Sequence, residues 1–151
     1  MEKRFENFKS EILKRAKKAN ACRPEYGKAC SSETFSELMQ VIKDNFNFAT
    51  QFRVIEPEII EMYIDEFNAN QIYCNMDVSS GFMLAYGSAT VKAYDSATVE
   101  AYGSATVEAY GSVYVTSYWI MECKLYNNAI YRIREKNVIR YASDSVKFEK
   151  V

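Results

Sequence analysis

Four cysteines, Cys22, Cys30, Cys74 and Cys123, supply the only thiols in this sequence, and there is no histidine to activate any of them. That absence removes the usual general base, the usual metal ligand and every Ser-His or Cys-His nucleophile pair. No Cys-x-x-Cys pair is present, and zinc normally takes its ligands from such close pairs, so no metal centre is expected. Reduced thiols are the default expectation, with a Cys22–Cys30 disulfide as the alternative. The chain also lacks a glycine-rich phosphate loop and a nucleophile elbow. The expectation is a protein that is not an enzyme and needs no cofactor.

Charge is the next resource for chemistry. The net charge of −1 conceals a segregation, with basic residues gathered at both ends of the chain and acidic ones in the middle. The stretch from Glu56 to Asp77 holds Glu56, Glu58, Glu61, Asp65 and Glu66 without one Lys or Arg, and forms a candidate acidic face. Near the C-terminus, Arg132, Arg134, Lys136 and Arg140 form a candidate basic patch interleaved with Tyr126, Tyr131 and Tyr141. Cations mixed with aromatics are what a groove for stacked bases requires. An acidic surface could instead mimic nucleic acid and occupy a protein that binds it.

The third resource is tyrosine. From Tyr86 the chain reads YGSATVKA, YDSATVEA, YGSATVEA and YGSVYVTS, then the degenerate YWIMECKL and YNNAIYRI. Tyrosine recurs every eight residues, at Tyr86, Tyr94, Tyr102, Tyr110, Tyr118 and Tyr126. Such amphipathic rings at fixed spacing are a candidate binding ladder, since aromatic contact area concentrates at interfaces.

The elements that must position these residues follow from pattern. With 151 residues, 48% of them hydrophobic, the chain is long enough for an ordinary globular core. No apolar run approaches the roughly 18 residues needed to cross a bilayer, and the MEKRFENFK start is too charged for a signal peptide. A cytoplasmic location is expected. Phe5, Phe8, Ile12, Ala16 and Ala19 repeat at helical spacing and predict a helix of about 18 residues that ends before Arg23-Pro24. Pro24 to Ser32 reads as a loop. A second helix starts at Thr34-x-x-Glu37, which has capping-box form, with Ser31 or Ser32 as alternative caps, and runs towards Ala49. A third opens at Pro57 and ends in Asn68-Ala69-Asn70.

A short fixed repeat signals a solenoid, in which each unit buries its face only by stacking on its neighbours. Because eight is even, each strand residue keeps its face from octad to octad. Lys92, Glu100 and Glu108 cannot line a narrow interior, so even positions are expected to point outward and odd ones inward. The interior is then Ala-Val-Ala at first and widens with Met121, Cys123 and Leu125. An Ala-Val-Ala lining favours two octads per coil over three, with residues i and i+16 stacked. Gly87, Gly103, Gly111 and Asp95 are the expected left-handed corners. The expected fold is therefore α+β, with a helical region over residues 1–77 capping a β-solenoid over 78–151.

The octads resemble those of a group of gut-bacterial and phage proteins in which a helical N-terminal region precedes A-T-V-x-A-Y-[GD]-[SN] repeats. That resemblance covers residues 80–126 closely, and it implies the fold more than a function. The Y-G-S element is also similar to ice-nucleation repeats, which present paired threonines on one strand. Here Thr90 is followed by Lys92, and Thr98 and Thr106 by glutamates, which departs from that pattern. The functional expectation is a protein-interaction module, monomeric or homodimeric, acting through the outer solenoid face. The alternatives are a phage-encoded inhibitor of a bacterial defence nuclease, anti-CRISPR-like, and nucleic-acid binding through the basic C-terminal coil.

Overall fold

Amphipathic stripes and then octads give two kinds of structure in succession along the chain. The computed structural model describes residues 1–143 and 146–150, and side chains as far as residue 142. Two compact units are present, Met1–Asn70 and Gln71–Val151. No helix among the described residues is long and apolar enough to cross a membrane.

Helix α1 (Glu2–Lys18) buries Phe5, Phe8, Ile12 and Ala16, the stripe its spacing predicts. Phe8 is the centre of an aromatic cluster, with ring centroids 5.3 Å from Phe35, 4.8 Å from Tyr63 and 5.7 Å from Phe67. Helix α2 (Arg23–Ser31) occupies the segment expected to be a loop. Pro24 falls in its first turn, where the missing N–H costs nothing. Only Ala29 of α2 is buried, so no apolar stripe announced the helix. Cys22 and Cys30 at its two ends are exposed free thiols, and the alternative disulfide is not formed.

Helix α3 (Phe35–Asp44) begins as its cap predicts, with Thr34 Oγ1 accepting from the Glu37 N–H at 3.2 Å. The Glu37 carboxylate reaches back to the Glu33 N–H instead of that of Thr34. The expected second helix and the shorter third one are each broken in two. Asn45 separates α3 from α4 (Phe46–Gln51), and Tyr63 separates α5 (Pro57–Met62) from α6 (Ile64–Ala69). Asn45 has φ −124° and its side-chain amide donates to Val41 O, competing with the helical ladder. At Tyr63 the turn places the ring against Phe8.

The second unit is a β-solenoid of about three turns. Strands β2 (Phe82–Ala85), β4 (Thr98–Ala101), β6 (Tyr114–Ser117) and β8 (Ile130–Ile133) stack in parallel on one side. On the other side lie β3 (Thr90–Ala93), β5 (Thr106–Ala109) and β7 (Glu122–Leu125). The register pairs Thr90 with Thr106 and Met83 with Val99, Val115 and Tyr131 in turn, so each coil holds two octads. Pairing begins before the first octad, because β1 (Ile72–Cys74) lies alongside β2. At the C-terminal end the chain stops coiling. β9 (Val138–Ser143) turns back antiparallel on β8, and β10 (Val146–Lys150) pairs with β9.

The interior is lined at odd positions as parity requires. Val91, Ala93, Val99, Ala101, Val107 and Ala109 are all buried, and the lining grows to Tyr131 and Ile133. Parity decides direction but not exposure. Leu84, Glu100 and Thr116 stand at even positions and are buried too. For Glu100 and Thr116 the reason is Arg134, whose guanidinium lies on both.

Corners follow the expected chemistry. Gly87, Gly103, Gly111 and Asp95 have φ between 56° and 73°, and Asn127 joins them at 57°. At Gly111 an added Cβ would sit 3.1 Å from the Asp95 backbone, whereas at Gly87 it would meet nothing within 4 Å. Gly87→Ala should therefore lose only the left-handed penalty, about 1–2 kcal/mol. Gly111→Ala should lose clearly more, because its coil must shift as well. Equal thermal melts for the two variants would refute close corner stacking.

Candidate functional site

The tyrosines that precede each corner form two outer ladders. On one corner Tyr94, Tyr110 and Tyr126 stack face to face, at 5.1 Å and 12° and then at 4.6 Å and 6°. The Tyr110 phenol donates to Glu108 Oε2 at 3.0 Å, and that carboxylate pushes the phenol pKa up to about 12. Glu108 also sits 3.8 Å from Lys124 Nζ, an opposite-charge column that continues the register from Lys92. On the other corner Tyr86 and Tyr102 stack at 6.1 Å. These contacts account for the ladders as a stabilising device of the coils.

The third coil departs from this rule. Its corner position after Tyr118, equivalent in register to Gly103 and Ser104, holds Trp119 and Ile120. Tyr118 turns edge-on to Trp119, with centroids 4.9 Å apart at 90°. Trp119 is 66% exposed and Ile120 62%, beside Tyr118 at 42%. Three successive large side chains are thus exposed at this corner.

A buried chain of hydrogen bonds holds that corner in place. Ser117 Oγ donates to Trp119 O at 2.7 Å, Tyr131 Oη lies 2.6 Å from Ser117 Oγ, and the Met121 N–H donates to Tyr131 Oη at 3.1 Å. Either hydroxyl can donate in the Ser117–Tyr131 contact, because the Tyr131 hydroxyl also reaches Trp119 O, at 3.5 Å. Burial pushes the Tyr131 phenol pKa up, with the Ser117 and Met121 hydrogen bonds opposing the shift. The nucleic-acid alternative counts Tyr131 among the aromatics of a stacking groove. It is instead an interior residue that fixes the backbone of residues 119–121 from inside.

The other candidate residues are dispersed. Glu56 is held by Arg15 at 2.6 Å, and Glu66 by Arg4, whose hydrogen bond keeps the Glu66 carboxyl below the usual range. Glu58, Glu61 and Asp65 face solvent. Of the candidate basic patch, Lys136 and Arg132 are exposed, and Arg132 donates to Asn137. Arg140 is half-buried. Arg134 is withdrawn from the patch altogether, because both its terminal nitrogens bind Glu100. The structure thus stacks most of the ladder tyrosines, and among the described residues it takes Arg134 and Tyr131 out of the basic-aromatic set while Arg132, Lys136 and Tyr126 stay exposed. Among the described residues, no three His, Cys, Asp or Glu side chains are grouped to hold a metal ion.

Trp119 and Ile120 are the site residues that repeat-based reasoning passed over. The usable signal was the exchange of Gly-Ser for Trp-Ile inside an otherwise recognisable octad. Comparison with protein families, curated proteins and solved structures finds no match to this chain.

Proposed function

We propose that this chain is a non-catalytic protein-binding module that acts through the outer surface of its solenoid, with the Tyr118–Trp119–Ile120 corner as anchor. The observation that carries the reading is the replacement of a Gly-Ser corner by two large apolar residues held out in water by a buried polar chain. A local rule broken so as to leave large apolar side chains mostly in water is expected where function demands it. Trp and Tyr are also the residues in which binding energy concentrates. The ladder tyrosines would supply flanking contact area and the charges a steering rim.

The test is capture of partners from host lysate by the native chain and by Trp119→Ser/Ile120→Ser, followed by mass spectrometry. A species retained by the native chain should be lost with the corner variant and kept with Tyr94→Ser. With that species purified, the double change should weaken binding by about 30-fold or more, the scale of a hot spot. Thermal melts should be nearly unchanged. Identical retention by native chain and corner variant would refute the anchor. Loss of binding only on neutralising Glu58, Glu61 and Asp65 would favour the alternative of a nuclease inhibitor that mimics nucleic acid.

A further inference from the structure

The helical unit contains an apolar cavity of about 280 Å³ that its own side chains leave unfilled. Its buried wall includes Ile12, Ala16, Ala29, Leu38, Ile42 and Val54, from α1, α2, α3 and the segment after α4. Half-buried Glu25, Tyr26 and Asn45 and the exposed Cys22 add polar groups to the lining. Water over the apolar wall of this partly open pocket finds few hydrogen-bond partners there, so a ligand that displaces it gains affinity. Larger residues at Ala16, Ala21, Ala29 or Ala49, all of which line it, would close it.

Helix α2 borders this space without packing into it. Beyond Ala29 it buries no residue, and Gly27 has nothing within 4 Å of where a Cβ would stand. Beside Ala29, polar ties hold it. Glu25 accepts from Asn45 at 2.8 Å, and Lys9 Nζ of α1 donates to Ser32 O, just past the end of α2, at 2.8 Å; the Lys28–Glu25 pair at 2.7 Å lies within α2 itself. A helix fastened by polar contacts can admit a molecule beneath it without loss of core packing.

We propose that this cavity is a binding site for a small, uncharged aromatic molecule carrying one hydrogen-bond donor. The apolar wall selects the ring system, and its size suits a bicyclic one. Glu25 selects the polar end. Lys28 and Asn45 hold its carboxyl below the usual range, so it stays ionised and accepts. Each of its oxygens uses one acceptor position on those partners and has a second to offer. A carboxylate ligand has no proton to donate and sets its own lone pairs against those of Glu25, and a cationic ligand gains little, because Lys28 already pairs with Glu25.

Three probes of one shape isolate these effects: 2-naphthol, which donates; 2-methoxynaphthalene, which does not; and 2-naphthoate, an anion. Binding to the full chain is followed by the methyl resonances of Ile12, Ile42 and Val54. 2-Naphthol should bind saturably, shift those methyls, and exceed 2-naphthoate in affinity by about tenfold or more, the scale of one charge-assisted hydrogen bond. 2-Methoxynaphthalene should fall between them. Glu25→Gln should bring 2-naphthoate up to the level of 2-methoxynaphthalene, and Ala21→Trp should abolish binding of all three while the chain stays folded. No saturable shift of those methyls, an affinity order without preference for 2-naphthol, or an order unchanged in Glu25→Gln would each overturn the proposal.

Discussion

Replacing Val99 with Asp should unfold the solenoid, while Lys92→Gln should leave it within about 0.5 kcal/mol of the native chain. Val99 is fully buried and lies in register between Met83 and Val115, at the centre of the coil lining. A carboxylate there meets only apolar neighbours and has no partner, so either ionisation or forced protonation costs several kcal/mol. That is comparable to the entire stability of a small domain. Lys92 points the other way and is exposed, in register with Glu108. Urea unfolding followed by circular dichroism separates the two variants. Equal losses would mean that odd and even positions do not divide inside from outside.

The solenoid was legible because its code is local and repeated. One octad states the strand, the lining and the corner, and the even period alone fixes which way each side chain points. Positive φ at Gly87, Asp95, Gly103 and Gly111 is dictated by residue type in the same way. What the pattern could not supply is coverage. Glu100 has the sequence context of Glu108, yet one is buried and the other half-exposed, because Arg134 reaches only the first. A residue 34 positions away leaves no trace in the octad. The helical unit was legible where an apolar stripe meets a core, as in α1. It was not where polar contacts hold a helix, as in α2, or where one residue breaks a continuous stripe, as at Asn45 and Tyr63. The Trp119–Ile120 corner is a departure from the repeat in sequence, but only the buried Ser117–Tyr131 link shows what holds its backbone in place.

The same coverage yields the second large effect. Arg134→Met should cost about 3–5 kcal/mol, the usual penalty for stranding one member of a buried pair. Its two terminal nitrogens hold Glu100 at 2.6 and 2.8 Å and Thr116 at 2.8 Å, and its backbone N–H donates to Ser117 O. One side chain thus ties three successive coils. The Glu100 side chain is 3% exposed and that of Arg134 14%, so water offers little compensation. Burial already raises the Glu100 carboxyl pKa, against the opposing pull of Arg134. A carboxyl raised on folding favours the folded state most below its unfolded pKa, and that benefit is lost as pH rises through the folded value. Without Arg134 the rise is greater, so the deficit of Arg134→Met should be small in acid and widen as pH climbs through and above the ordinary carboxylate range. Glu100→Met/Arg134→Met removes both charges and should recover most of the loss, with no such pH dependence. Urea titrations of the native chain and both variants across pH decide the matter. A single variant that loses under about 1 kcal/mol at neutral pH, or a double variant less stable than the single, would show that the pair does not clamp the coils.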